Sequence, residues 1–127
     1  EKSYGKIYVM LGINELGYVY EETLTAYKAI LDKIHELQPD AIVFIEANLH
    51  VSKDKSDHDA LYNNDNINRL NAGMQAFADS RTFFYIDVNE LFDEDGCLGA
   101  EYTFDDIHVL AKYYDGWVDW ICTKGIL

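Results

Sequence analysis

Hydrophobic positions along the chain form three short apolar runs, which are separated by longer amphipathic or polar stretches. The runs cover residues 6–11, 41–47 and 82–88, and each is rich in β-branched or aromatic residues. Runs of this length that are apolar at nearly every position are typical of strands buried on both faces of a sheet. The sequence therefore predicts three buried β-strands.

Between and after these runs, apolar residues recur at intervals of three and four, the spacing of one helix face. The predicted helices, in chain order, are 21–38, 67–77, a single turn at 89–92, and 109–122. Residues 48–64 are polar and longer than a typical connection, which indicates a functional or mobile loop. Strands that alternate with helices pair in parallel through right-handed crossovers. The predicted fold class is α/β, a three-layer α/β/α sandwich with a parallel sheet, in one domain over residues 1–127.

Composition narrows the choice of partners. The chain has 23 acidic and 10 basic residues among 127, a net charge of -13. This charge repels nucleic acid and anionic membrane surfaces. A simpler interpretation is that the charge keeps the protein surface solvated. The sequence holds no apolar run of about 18 residues and no signal segment, so no membrane span is expected.

No cofactor and no metal site are expected either. Asp57, His58 and Asp59 are adjacent, but consecutive residues rarely point at one ion, and no second cluster completes a coordination shell. Cys97 and Cys122 show no metal-binding or disulfide spacing and are predicted to be free thiols. Free thiols fit a reducing interior, so a cytoplasmic location is expected, with secretion left open.

Chemically versatile residues follow each predicted strand. Gly12 and Asn14 follow the first strand, His50 follows the second, and Asp105 and His108 follow the third after a connecting loop. Ligands of open parallel sheets bind outside the carboxyl ends of the strands, so these residues are expected at one edge. His108 is predicted to be a general base that Asp105 orients. The Asn14 amide is predicted to donate to an oxyanion, with Gly12 allowing a tight turn.

Each of these residues also has a simpler structural interpretation. Asp105 would cap the final helix beside a surface His108, and Asn14 would stabilise a turn. His50 is predicted to contact substrate because of its position at the same edge. The aromatic residues of the closing helix suggest a sugar platform, but their helical spacing is more typical of core packing with one or two rings left at the surface. They are Tyr113, Tyr114, Trp117 and Trp120.

The two motifs resemble those of the SGNH (GDSL-type) hydrolase superfamily. Gly12-Ile13-Asn14-Glu15 resembles the family's Gly-x-Asn-Asp block, with Glu15 in place of Asp, and Asp105-Asp106-Ile107-His108 resembles its Asp-x-x-His block. The resemblance covers the whole chain as the later part of that fold. It implies a flavodoxin-like α/β/α fold and hydrolysis of esters or thioesters, frequently of acetylated carbohydrates or lipids.

The resemblance also implies a Gly-Asp-Ser motif with the nucleophilic serine and a second glycine block, both ahead of residues 6–11. None of the serines at positions 3, 52, 56 and 80 stands in such a setting. The sequence therefore predicts the C-terminal portion of a serine esterase for small-molecule or carbohydrate esters, inactive alone. The alternative is a non-catalytic domain, derived from such a hydrolase, that binds a carbohydrate or a protein. An uncovered strand at 7–11 further predicts a homodimer through that strand.

Overall fold

The computed structural model describes residues 2–125 and contains a three-stranded sheet, flanking helices and a small two-stranded ladder. The elements in chain order are β1 (Lys6–Val9), α1 (Tyr20–Leu37), β2 (Ile42–Glu46), α2 (Lys53–His58), α3 (Asn64–Gln75), β3 (Phe83–Ile86), α4 (Asn89–Phe92), β4 (Asp93–Glu94), β5 (Cys97–Leu98) and α5 (Tyr114–Thr123). Short 3-10 helices lie at Ile13–Glu15, Ala100–Tyr102 and Ala111–Tyr113. The α/β class with a parallel sheet is confirmed.

The main sheet has the order β1-β2-β3, and all its pairings are parallel. Ile7 pairs with Val43, and Val43 pairs with Phe83, so odd-numbered side chains share one face. Two right-handed crossovers that advance in the same direction place α1 and α3 together on that face. The core between the sheet and these helices consists of Val9, Tyr27, Leu31, Val43, Ile45, Leu70 and Met74.

Close packing of α1 on α3 depends on Gly73. A Cβ atom at this position would lie 2.4 Å from the Tyr20 hydroxyl and 2.7 Å from Leu24 Cδ1. The Tyr20 hydroxyl also donates to the Arg69 carbonyl at 3.1 Å. The absent side chain of Gly73 therefore lets the two helices approach and bury the odd-numbered face.

The opposite face of the sheet carries even-numbered residues and is partly covered by α5. Tyr8 stacks on Phe44 with ring centroids 4.8 Å apart, and Phe84 lies 6.1 Å from Phe44 on the other side. Beyond the strand ends, a second core cluster forms from Val88, Phe92, Leu98 and Val109. Trp117 packs edge-on against Phe92 at 5.7 Å, in agreement with its interpretation as a core residue.

Two details differ from the sequence-based expectation. The polar stretch 48–64 is not a continuous loop but contains α2, which begins where the Ser52 hydroxyl accepts a hydrogen bond from the Lys55 amide at 3.1 Å. The closing helix begins at Tyr114 rather than at residue 109. The Leu110 amide donates to the Tyr102 carbonyl at 2.8 Å, which holds the residues around Leu110 against the preceding loop. The helix therefore begins only at Tyr114.

Candidate active site

His108 and Asp105 form a hydrogen-bonded pair on the loop that precedes α5. His108 Nδ1 lies 2.7 Å from Asp105 Oδ2, and the His108 backbone amide donates to Asp105 Oδ1 at 2.7 Å. These two bonds and one from the Ile107 amide hold the pKa of Asp105 well below its usual range. The ionised carboxylate can only accept, so Nδ1 must carry a proton. In the neutral ring, Nε2 is then left as a proton acceptor.

The His108 ring extends into solvent. Its side chain is 78% exposed, and within residues 2–125 its Nε2 atom has no hydrogen-bond partner. A general base requires this combination of an orienting acid on one nitrogen and an accessible second nitrogen. The geometry is therefore suited to proton transfer at Nε2.

The loop that carries this pair is held in a strained but well-bonded turn. Asp106 has a φ of 70°, the left-handed conformation that favours glycine and that aspartate tolerates. The Asp106 carbonyl accepts from the Ser52 amide at 2.9 Å, and the Thr103 hydroxyl donates to Asp105 Oδ1 at 3.1 Å. These bonds fix the loop in one conformation.

Gly12 and Asn14 form the turn after β1. Gly12 has a φ of 114°, and a Cβ atom there would lie 3.2 Å from Leu70 Cδ2, so conformation and space both favour glycine. Asn14 belongs to the 3-10 helix Ile13–Glu15 and is exposed. The tight turn expected at Gly12 is present, and the oxyanion role of Asn14 stays a prediction.

Asn48, just after β2, connects the Gly12 turn to the rest of the sheet edge. Its Nδ2 donates to the Leu11 carbonyl at 2.9 Å, and its backbone amide donates to Asn71 Oδ1 at 2.8 Å. Its carbonyl accepts from the side-chain amides of Asn71 and Asn89, both at 3.0 Å. All three asparagines are buried, and each satisfies polar groups that would otherwise be costly in the interior. The network fixes the ends of β1 and β2 relative to α3 and α4.

The residues that follow Asn48 extend this support toward His108. The His50 amide donates to Asn89 Oδ1 at 2.8 Å, and the Val51 amide donates to Asn64 Oδ1 at 2.9 Å. Ser52 then binds the His108 loop through the Asp106 carbonyl. The segment 48–52 therefore holds both the Gly12 turn and the His108 loop, and it places them at the same edge of the sheet.

His50 itself is buried and its ring is fully engaged. Its Nδ1 lies 2.7 Å from Asp93 Oδ2, and its Nε2 lies 2.6 Å from Asn68 Oδ1. Burial lowers the pKa of His50, but the hydrogen bonds to the oxygens of Asp93 and Asn68 and the charge of Asp93 outweigh it, so the pKa is raised. With both nitrogens bound inside the protein, the ring has none left for the substrate contact predicted for it. His50 instead joins the end of β2 to α3 and β4.

The asparagine network was not singled out from the sequence, although a signal for it exists. Asn71 lies between Leu70 and Met74 on the apolar face of α3, where an unpaired amide would cost free energy. Asn48 directly follows the most apolar run of the chain. Polar amides at such positions indicate buried hydrogen bonds, but not their partners.

The part of the chain that the structure describes shows neither a metal-binding cluster nor a membrane-spanning helix. Across residues 2–125, no group of three or more His, Cys, Asp or Glu side chains could hold a metal ion. No helix in that range is long and apolar enough to cross a bilayer. Cys97 is half-buried and Cys122 is exposed, and both are free thiols.

The fold and the site together define an α/β protein with an acid–base pair at the carboxyl edge of a parallel sheet. The sequence matches the GDSL-like Lipase/Acylhydrolase family over residues 5–115, a range that includes both candidate motifs. The chain belongs to this family, and its place in the SGNH superfamily is confirmed. A search among curated proteins gives no match.

Solved structures with the same fold span more sequence than this chain. A protein assigned as a platelet activating factor from Streptococcus pneumonia has a TM-score of 0.78 and 23% identity, over 90% of this chain and 56% of that one. A protein assigned as an acylhydrolase from Bacteroides fragilis NCTC 9343 has a TM-score of 0.72 and 17% identity, over 94% and 60%. A GDSL-like lipase from Bacteroides thetaiotaomicron VPI-5482 has a TM-score of 0.71 and 15% identity, over 96% and 63%. At these identities the likeness shows the fold alone.

Proposed function

We propose that this chain carries the acid–base and oxyanion-stabilising parts of a GDSL-type ester hydrolase. The observation that carries the proposal is the Asp105–His108 pair, in which a 2.7 Å hydrogen bond orients the ring and Nε2 faces solvent. Membership of a lipase and acylhydrolase family supports acyl-ester chemistry. The substrate class that we propose is a small-molecule or carbohydrate ester.

The nucleophile is proposed to be a serine supplied from outside this chain. Two of the chain's own serine hydroxyls are bonded to backbone amides. Ser52 Oγ accepts from the Lys55 amide at 3.1 Å, and Ser56 Oγ accepts from the Asn64 amide at 2.9 Å. Neither of these two hydroxyls is hydrogen-bonded to His108. Ser3 and Ser80 lie outside the segments that support the site.

The proposed reaction follows the general scheme of serine hydrolases. His108 Nε2 takes the proton of the serine hydroxyl while the oxygen attacks the ester carbonyl, and Asp105 stabilises the imidazolium. The Asn14 amide, on the turn that Gly12 permits, donates to the oxyanion. His108 then protonates the departing alcohol, and water cleaves the acyl-enzyme with His108 again as base.

Hydrolysis of p-nitrophenyl acetate tests this proposal in two proteins: the chain alone, and the chain with the upstream residues of its own coding sequence. We expect near-background turnover from the first and clear turnover from the second, with a loss of about 10³-fold or more on His108→Ala. His58→Ala, on the exposed surface of α2, serves as the control and should keep activity. Turnover by the chain alone that disappears on His108→Ala would contradict an external nucleophile.

A homodimer through β1 remains part of the proposal. β1 is an outer strand of the sheet, and the Ile42 amide donates to the Gly5 carbonyl at 2.9 Å. Because alternate residues of a parallel strand face the partner strand, the amides of Lys6 and Tyr8 point away from β2. Such an open edge favours pairing with a second copy of the chain about a two-fold axis.

A further inference from the structure

A cavity of about 520 Å³ lies along the outer side of β3, between α3 and α5. Its lining contains no residue of the Gly12 turn or of the Asp105–His108 loop, so it is separate from the candidate active site. Its volume lies within the range of about 300–1,000 Å³ that small-molecule sites occupy. The chemistry of its walls determines what it can bind.

One wall is an aromatic ring held in a fixed orientation. The Trp120 indole donates from Nε1 to Glu90 Oε1 at 2.6 Å, and Lys124 Nζ lies 2.6 Å from the same oxygen. Lys124 Nζ also lies 5.4 Å from the centre of the Trp120 ring. The bonds from Lys124 and Trp120 hold the pKa of Glu90 below its ordinary value. Glu90 is therefore ionised and neutralised by Lys124, and its bond to Nε1 holds the indole in this orientation.

The remaining walls offer hydrogen-bond donors and acceptors. Burial, reinforced by the charge of Asp87, raises the pKa of Tyr85 to about 12, so its hydroxyl stays protonated. Gln75 is exposed at the end of α3 and presents both atoms of its amide. Asn68 presents Nδ2, because its Oδ1 contacts His50. Asp87 accepts from the Asn89 amide through Oδ1 at 3.0 Å and presents its second oxygen.

These features disfavour other classes of ligand. The Asp87 carboxylate and the net charge of -13 oppose an anion. An extended peptide would need a row of open backbone groups along β3. The Phe83 carbonyl, however, already accepts from the Asp79 and Ser80 amides at 3.0 Å each, and the Phe83 amide donates to Asp79 Oδ1 at 2.9 Å. Too little of the edge remains for strand addition.

We propose that this cavity binds a short neutral oligosaccharide. The apolar face of a sugar ring would pack on Trp120, while hydroxyls bond to the amides of Gln75 and Asn68 and to the Asp87 carboxylate. Planar amides donate and accept, and a carboxylate accepts, in the paired geometry that vicinal hydroxyls present. The site depends on these contacts and not on hydrolysis, so it holds whether or not the proposed esterase activity does.

Ligand-observed NMR with cellotetraose, xylotetraose and chitotetraose tests the proposal, with tetragalacturonate as the anionic comparison. We expect saturation transfer to at least one neutral tetrasaccharide and none to tetragalacturonate. Gln75→Ala should weaken binding about fivefold, the size of one lost hydrogen bond. Trp120→Ala should weaken it about tenfold or more, and Trp120→Phe should retain part of it. Glu22→Gln, on the exposed surface of α1, is the matched control and should bind normally.

Three results would overturn the proposal: no transfer to any neutral tetrasaccharide, transfer to tetragalacturonate of equal strength, or binding that Gln75→Ala leaves unchanged. Gln75 is exposed, so its replacement keeps the fold even if Trp120→Ala does not. If the chain with its upstream residues shows no esterase activity but a neutral tetrasaccharide still binds through Gln75, the result supports this site and counts only against the proposed hydrolysis.

Discussion

Replacing Asn71 by alanine tests whether the buried asparagine network supports the candidate active site. The Asn71 side chain makes two hydrogen bonds to the backbone of Asn48, an acceptor bond of 2.8 Å and a donor bond of 3.0 Å. After the change, the Asn48 carbonyl keeps its bond from the Asn89 side-chain amide at 3.0 Å. The buried Asn48 backbone amide, in contrast, loses its acceptor, Asn71 Oδ1. The substitution therefore removes these two bonds and a longer one of 3.4 Å from Asn48 Nδ2 to Asn71 Oδ1, and it leaves the buried Asn48 backbone amide unsatisfied.

The expected cost follows from these contacts. Each lost hydrogen bond contributes about 1 kcal/mol, and a buried donor without a partner costs about 1–3 kcal/mol. Since part of the second cost is the loss of the first bond, we expect the free energy of unfolding to fall by about 2–4 kcal/mol. With a urea m-value of about 2 kcal/mol/M, the midpoint should fall by about 1–2 M.

Urea denaturation followed by circular dichroism measures this change. Gln75→Ala, an exposed position on the same helix, is the control and should shift stability by no more than about 0.5 kcal/mol. Hydrogen exchange adds a local readout, because the Glu15 amide donates to the Gly12 carbonyl at 3.0 Å inside the turn that Asn48 holds. Faster exchange at Glu15 in Asn71→Ala would connect the network to the candidate oxyanion turn. A loss below about 0.5 kcal/mol would refute the reasoning.

Three further predictions concern the acid–base pair, the sheet edge and the buried histidine. In a hydrolytically active form, Asp105→Asn should lower kcat by about 10³–10⁴-fold, because His108 loses the carboxylate that fixes its Nδ1 proton. A decrease in kcat of less than about tenfold would contradict this role of Asp105. Lys6→Pro removes an amide on the open side of β1 and leaves the hydrogen bonds to β2 intact. Light scattering should therefore show a dimer for the wild type and a monomer for the variant. A wild-type protein that is a stable monomer at high dilution would exclude the dimer. The folded pKa of His50 is raised above its unfolded value of about 6.5, so its contribution to stability is complete below that pH and is lost as pH rises through the folded pKa. Urea denaturation at a series of pH values should show this loss of stability above about pH 6.5, and the loss should be smaller in Asp93→Asn. Identical pH profiles for the wild type and the variant would rule out the His50–Asp93 ion pair as the source of the loss.

Local patterns were sufficient to predict most of the fold. The three apolar runs became β1, β2 and β3, and the spacing of apolar residues located α1, α3 and the turn at α4. Each of these elements is determined by residues close together in sequence. The two failures have tertiary or capping causes: α2 depends on the hydroxyl of Ser52 in a polar stretch, and α5 starts late because Leu110 is bonded to Tyr102.

For the site, the sequence alone determined which residue types stand after each strand, and the spacing of Asp105 and His108 already allowed their pairing within one turn. That pairing is local, since the two residues are three apart. The tertiary structure determined which residues support the site. Asn48 is bonded to Asn71, 23 residues away in sequence, and His50 is bonded to Asp93, 43 residues away. Bonds over such distances depend on how the helices and the strand ends pack, which no local pattern encodes. For this reason His50 looked like a substrate contact in the sequence and is an internal link in the folded protein.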